Sequence, residues 1–296
     1  MREEQRVEKC GQLPLEVVVK KSAALIFGAI SLLACAQHAV ADILIQDDFE
    51  TASMSKLQIG GGYWGASNAG SGDAVQISTT LAKTGNYSLQ FVFGGGPLGA
   101  DAWAEKRFEL GGKYSEVWVK YDLYIPSNYY HREDAPSANN KAFVHLWTGE
   151  YSGGRGLGAG FEVQPDGAGG SIVDFHPFRP DSSHLRDPIR GGKGIELSDR
   201  GTWVEFICQI KAASPANNDG IARVWKTPQG GTKKLIFERT DVKLYNADGN
   251  YFEHGYLLGW SNSGFTNTTT FYMDNVVISN SAIGLSGPVV NSINVR

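Results

Sequence analysis

The chain has 296 residues, with 27 Lys and Arg against 31 Asp and Glu, three cysteines and 37 glycines. This mildly acidic balance excludes the basic surface that nucleic-acid phosphates require. So few cysteines exclude a disulfide-stapled miniature fold, and the length is ample for one domain with its own hydrophobic core.

Residues 1–41 read as a leader. Lys20 and Lys21 precede an apolar run over 23–36, and Ala39-Val40-Ala41 offers a small-x-small cleavage site. The run falls short of the roughly 20 residues of a membrane span, and no later segment qualifies. The expectation is a soluble, monomeric protein exported through a signal peptide, secreted or periplasmic, with no membrane span. Leu32-Leu33-Ala34-Cys35 loosely resembles a lipobox, so anchoring through Cys35 is the less favoured route. Beyond the leader only Cys208 remains, and stability has to come from the core.

From residue 42 onward helical periodicity is nearly absent. Short apolar-alternating runs recur at 43–49, 75–78, 88–93, 103–110, 115–125, 141–147, 159–164, 171–175, 203–211, 220–226, 233–238, 256–260 and 270–279, with glycine-rich turn signals between them. Such a series predicts an all-β sandwich of two packed antiparallel sheets over 42–281. The long polar loops 126–140 and 177–201 are expected to rim a cleft. Residues 282–296 read as a C-terminal tail.

Successive strand side chains point to opposite faces. In 115–125, Val117, Val119, Tyr121, Leu123 and Ile125 oppose Glu116, Trp118, Lys120, Asp122 and Tyr124. In 141–147, Ala142, Val144 and Leu146 oppose Lys141, Phe143, His145 and Trp147. In 159–164, Phe161 and Val163 oppose Glu162 and Gln164. With Asp174 and His176 next in the chain, the polar faces form a row of acid/base-capable groups and aromatic rings. Such a row describes a saccharide cleft better than a core, with an ordinary wet sheet face as the bland alternative.

Asp47-Asp48-Phe49-Glu50, Gly85-Asn86-Tyr87-Ser88-Leu89, the segments 103–109 and 116–121, Gly201-Thr202-Trp203-Val204-Glu205 and Tyr272-Met273-Asp274-Asn275-Val276 together resemble concanavalin A-like lectin/glucanase jelly rolls, in particular the jelly-roll polysaccharide lyases. The resemblance implies a concave sheet that grips a polysaccharide, and a calcium ion on the convex side. Asp48 and Glu50 with Asp274 would supply its hard oxygen ligands. The Glu-x-Asp-x-(x)-Glu strand of retaining hydrolases of this fold is missing, which disfavours two-carboxylate glycoside hydrolysis. The Arg-rich strand of the alginate-lyase type has a counterpart in Glu105-x-Arg107, and its Gln-x-His strand is matched at His145. Its late Tyr-rich strand finds no clear match.

β-Elimination on a uronate needs a base for the C5 proton, a group that stabilises the carboxylate as it gains enolate character, and an acid for the leaving oxygen. His145 is the expected base, Arg107 holds the carboxylate, Gln164 or Lys141 stabilises the developing charge, and Tyr124 is the acid, or the base if nearby cations deprotonate it. Trp147, Trp118, Glu105, Glu162, Lys120 and His176 are the expected substrate contacts. The function expected is therefore that of a lyase on an anionic, uronate-containing polysaccharide. A non-catalytic lectin with the same cleft is the alternative, and the two differ in whether a phenol faces the same sugar position as His145.

Overall fold

Period-two alternation organises the observed chain. The computed structural model describes residues 42–54, 59–135, 139–151, 156–178, 191–247, 249–285 and 290–291. The leader expected at 1–41, with Cys35, lies outside the described residues. The strands in chain order are β1 (Ile43–Asp47), β2 (Tyr63–Ala69), β3 (Ala74–Ser78), β4 (Ser88–Phe93), β5 (Ala102–Tyr114), β6 (Glu116–Ile125), β7 (Lys141–Trp147), β8 (Gly158–Pro165), β9 (Ser171–Phe178), β10 (Lys193–Ile195), β11 (Thr202–Lys211), β12 (Gly220–Pro228), β13 (Lys234–Val242), β14 (Phe252–Ser261), β15 (Thr269–Ser279) and β16 (Val290–Asn291). Among the described residues the only helical elements are two single 3-10 turns, and no helix is long and apolar enough to cross a membrane.

Two sheets result. One holds nine strands in the order β16-β13-β12-β11-β6-β15-β4-β3, with β1 also paired to β15. The other holds seven in the order β10-β9-β8-β7-β14-β5-β2. Pairing is antiparallel throughout, save for the short parallel match of β16 with β13. Every run expected from alternation is a strand. β2 escaped that reading because Gly65, Ala66, Ser67 and Asn68 give it no β-branched pattern; it is held by its neighbour β5.

The core lies where the inner faces meet. Phe143 of the seven-stranded sheet packs edge-on against Phe206, with ring centroids 4.6 Å apart, and against Tyr121 at 5.8 Å. Phe161 meets Phe237 in the same way. Burying each such ring contributes on the order of 2 kcal/mol. Cys208 is part of this core, and burial pushes its thiol pKa up. It is therefore not placed to pair with a second chain.

The inward position of Phe143 corrects the expected phase of β7. A bulge between Ala142 and Val144 gives β7 one residue more than β8, so Lys141 stands opposite Val163, while Ala142 stands opposite Glu162. Lys141 and Phe143 thus turn toward the interior and Ala142 turns outward; beyond the bulge, His145 and Trp147 resume the outward phase.

The two long loops are partly tied down. Arg132 donates to the carbonyls of Gly96 (2.9 Å), Pro97 (3.0 Å) and Ser263 (2.6 Å), and the buried His131 lies 2.7 Å from Ser171 Oγ. Within 177–201, of which residues 179–190 lie outside the described set, β10 extends the sheet and Asp199 meets the buried Lys226 ammonium at 2.6 Å. Past 281 the chain is drawn onto the nine-stranded sheet, where Ile283 packs with Trp118, Ile207, Trp225 and Leu235.

Candidate functional site

One row of register-matched residues crosses the outer face of the seven-stranded sheet. His176 on β9 stands opposite Gly160 on β8, Gly160 opposite His145 on β7, His145 opposite Tyr256 on β14, and Tyr256 opposite Arg107 on β5. Gly160 is required there: a Cβ at that position would stand 2.2 Å from His145 Cδ2, so the bare backbone makes the seat for the imidazole. The His145 and Tyr256 rings stack with centroids 5.0 Å apart and planes 11° from parallel.

The electrostatics of the row follow from burial. His145 has its pKa lowered to about 4, chiefly by burial; Glu162 opposes that shift and His176 adds to it. The imidazole is consequently neutral at neutral pH. Burial also raises the Tyr256 phenol well above its ordinary range, so it holds its proton. Glu162 Oε1 lies 3.1 Å from His176 Nδ1 and 3.6 Å from His145 Nε2, which places one carboxylate between two imidazoles. Tyr151, from the turn after β7, brings its hydroxyl within 3.1 Å of the Tyr256 hydroxyl.

Arg107 closes the row. Its Nε donates to Glu105 Oε1 at 2.7 Å, and its guanidinium lies over the Tyr151 ring at 5.3 Å and the Trp147 ring at 5.7 Å. Trp147 in turn stacks on His254, whose Nδ1 is bonded to Glu109. A groove of about 490 Å³ runs from Arg107 and Tyr151 past Glu105 and Asn68 to Trp103 and Trp260.

The face therefore gathers His145, Arg107, Glu105, Glu162, His176 and Trp147, as the sequence led one to expect. Gln164 shares it, with Nε2 3.3 Å from Asp174 Oδ2. Four expected residues are elsewhere. Lys141 is turned inward by the bulge, bonded to Asn139 Oδ1 and the Asn262 carbonyl, and burial lowers its pKa to about 7. Tyr124, Lys120 and Trp118 sit on β6, and β6 pairs with β11 and β15 in the nine-stranded sheet. There Tyr124 packs against Trp203 and Tyr272, Lys120 pairs with Glu205, and Trp118 stacks on Trp225. The phenol beside His145 is Tyr256, which the sequence reading passed over. The alternation His254-x-Tyr256 on a late strand was its signal, hidden by placing the start of that strand at Tyr256.

The carboxylates expected to hold calcium are turned to backbone groups. Glu50 Oε1 accepts from the N–H of Asn86 (2.8 Å) and Tyr87 (2.7 Å), Asp274 Oδ2 from those of Lys83 (2.8 Å) and Thr84 (3.0 Å), and Asp48 Oδ1 from that of Glu50 (3.2 Å). Among the described residues no group of three or more His, Cys, Asp or Glu stands ready to hold a metal ion. As arranged, Glu50 and Asp274 tie the 83–87 loop to the turn after β1 and to the middle of β15 while Asp48 is turned to the Glu50 backbone, and the three do not fit a three-carboxylate calcium site. Addition of EDTA is accordingly expected to leave the melting temperature unchanged. A clear fall would instead show that a bound cation stabilises the fold.

No family model and no curated protein sequence matches the chain. Its fold does match solved structures. The endo-β-1,4-glucuronan lyase from the fungus Trichoderma reesei aligns over 74% of this chain and 91% of its own, at 14% identity and a TM-score of 0.52. Alginate lyase Aly36B aligns over 81% and 97%, at 13% identity and a TM-score of 0.53. Alginate lyase vAL-1 from Chlorella virus aligns over 80% and 99%, at 11% identity and a TM-score of 0.53. The chain is thus a concanavalin A-like jelly roll of two antiparallel sheets, the fold of these polysaccharide lyases. At such identities the likeness is one of fold.

Proposed function

We propose that this protein is an exported polysaccharide lyase that cleaves a uronate-containing glycan by β-elimination along the His145–Tyr256–Arg107 row. The observation that carries this reading is the stacking of the His145 imidazole on the Tyr256 phenol at matched register on adjacent strands. A binding protein has use for the aromatic walls but none for that pairing.

In this mechanism His145 takes the C5 proton. The electron pair left on C5 forms the C4–C5 double bond and expels the C4 oxygen, which receives the Tyr256 proton. Arg107 faces the developing enolate charge; among the described residues its Nη groups have no partner, and its Nε is fixed by Glu105. Glu162 stabilises the imidazolium after proton transfer. The Tyr151 hydroxyl, on a residue that is 39% exposed, offers the path by which Tyr256 recovers a proton from water.

The test is ultraviolet absorbance of the unsaturated uronate product, with the full chain incubated with glucuronan, alginate, ulvan, pectate and heparin-type glycans. A rise on one substrate is expected. No rise on any, with retention of the protein on one immobilised glycan, would replace this reading with that of a lectin.

A further inference from the structure

The groove beyond Arg107 ends in a feature that the elimination chemistry leaves unused. Trp103 on β5 and Trp260 on β14 are direct cross-strand partners. Their rings stack with centroids 5.4 Å apart and planes 8° from parallel. Trp260 is nevertheless 42% exposed, although an indole gains most when it is covered. Its orientation is held: the indole N–H donates to Asn262 Oδ1, and Asn262 donates in turn to Asn140 Oδ1. Trp103 is fixed through its backbone N–H, which donates to Asp73 Oδ2 at 2.9 Å. A cross-strand pair serving only the sheet would have no need of such tethers on an open face.

Polar groups border this flat apolar wall. Asn68 on the edge strand β2 donates to Glu105 Oε1 at 2.7 Å, and both line the groove together with Arg107 and Tyr151. Arg107 is also the end of the reaction row, and Tyr151 is hydrogen-bonded to Tyr256, so a ligand lying along the groove abuts the row at those two residues.

We infer that the Trp103–Trp260 pair is a stacking subsite for an equatorially substituted pyranose, of glucose configuration, in the glycan chain that reaches His145. The inference rests on the functional reading above for the course of that chain. Such a ring carries axial C–H bonds on both faces and its hydroxyls at the rim. Its faces suit the indole, and its rim suits Asn68 and Glu105. A pyranose with axial hydroxyls presents polar groups to the indole and loses their hydration without replacement.

The experiment uses the full chain carrying His145→Ala to prevent turnover. Isothermal titration calorimetry measures its affinity for β-1,4-linked oligoglucuronates from dimer to hexamer, and for oligoguluronates of the same lengths. Adding Trp260→Ala is expected to weaken binding of the longer oligoglucuronates about tenfold, with the loss absent from the dimer and from the guluronate series. Trp260→Phe should restore most of the affinity, and melting curves check that each variant is folded. Unchanged hexamer affinity, an equal loss at every length, an equal loss for both sugars, or no oligoglucuronate binding by the His145→Ala chain would each overturn the subsite. Product formation by the unmutated chain is read separately. Elimination without the length effect removes the subsite alone, whereas the length effect without elimination removes the lyase reading and leaves the subsite standing.

Discussion

Replacing Tyr256 by Phe is expected to lower turnover about a thousandfold, within the range that a positioned general acid or base supplies, while leaving the sandwich folded. The substitution removes one hydroxyl and keeps the ring. Tyr256 is only 1% exposed and stacks on His145, so the packing of the row survives. The cost in stability should be about 1 kcal/mol, the usual worth of the hydrogen bond to Tyr151. The phenol is stacked on His145, and burial keeps its proton in place at working pH. Measurement of kcat from the unsaturated product, with a melting curve on the same preparation, checks both halves. A loss of less than tenfold would move the acid role away from Tyr256.

The second large effect belongs to His145. His145→Ala should abolish measurable elimination, a fall of about a thousandfold or more for a lost general base, and the pH profile of the unaltered protein should show why. As a base the imidazole works in its neutral form. Its pKa of about 4 in the folded chain, against an ordinary 6.5, means that it stays neutral until the solution is quite acidic. The acid limb of kcat/KM is therefore expected near pH 4 rather than near 6.5. Because the Glu162 carboxylate raises the His145 pKa against the larger effect of burial, Glu162→Gln should move that limb to still lower pH. A limb that stays near 6.5 in both proteins would assign the base role to another group.

The same shift bears on stability. Between about pH 6.5 and 4 the unfolded chain binds a proton at His145 that the folded chain refuses, so this contribution is complete above 6.5 and is lost as pH falls through 4. His131, whose pKa burial lowers to about 3, acts in the same direction over a wider window. Activity and folding should therefore decline together on the acid side, and the His145→Ala protein should show the shallower loss of stability.

What the sequence determined by itself is the local part of this picture. Alternation along 159–164 places Phe161 and Val163 inward and Glu162 and Gln164 outward, because each side chain's direction is set by its own strand and by nothing distant. The same rule separates Tyr121 from Tyr124 on β6 and marks His145, Arg107 and His176 as groups available for work. Alternation defines two faces of each strand, yet it does not say which sheet the strand joins. Only the pairing of β6 with β11 and β15 sends Tyr124, Lys120 and Trp118 to the nine-stranded sheet, and that pairing unites segments far apart in the chain. The bulge at Ala142 is likewise a property of two strands together: one extra residue in β7 against β8 reverses the phase of Lys141 and leaves His145 in place. Tyr256 reaches His145 across more than a hundred residues of chain, as Trp103 reaches Trp260, and those contacts exist only because β14 runs between β7 and β5.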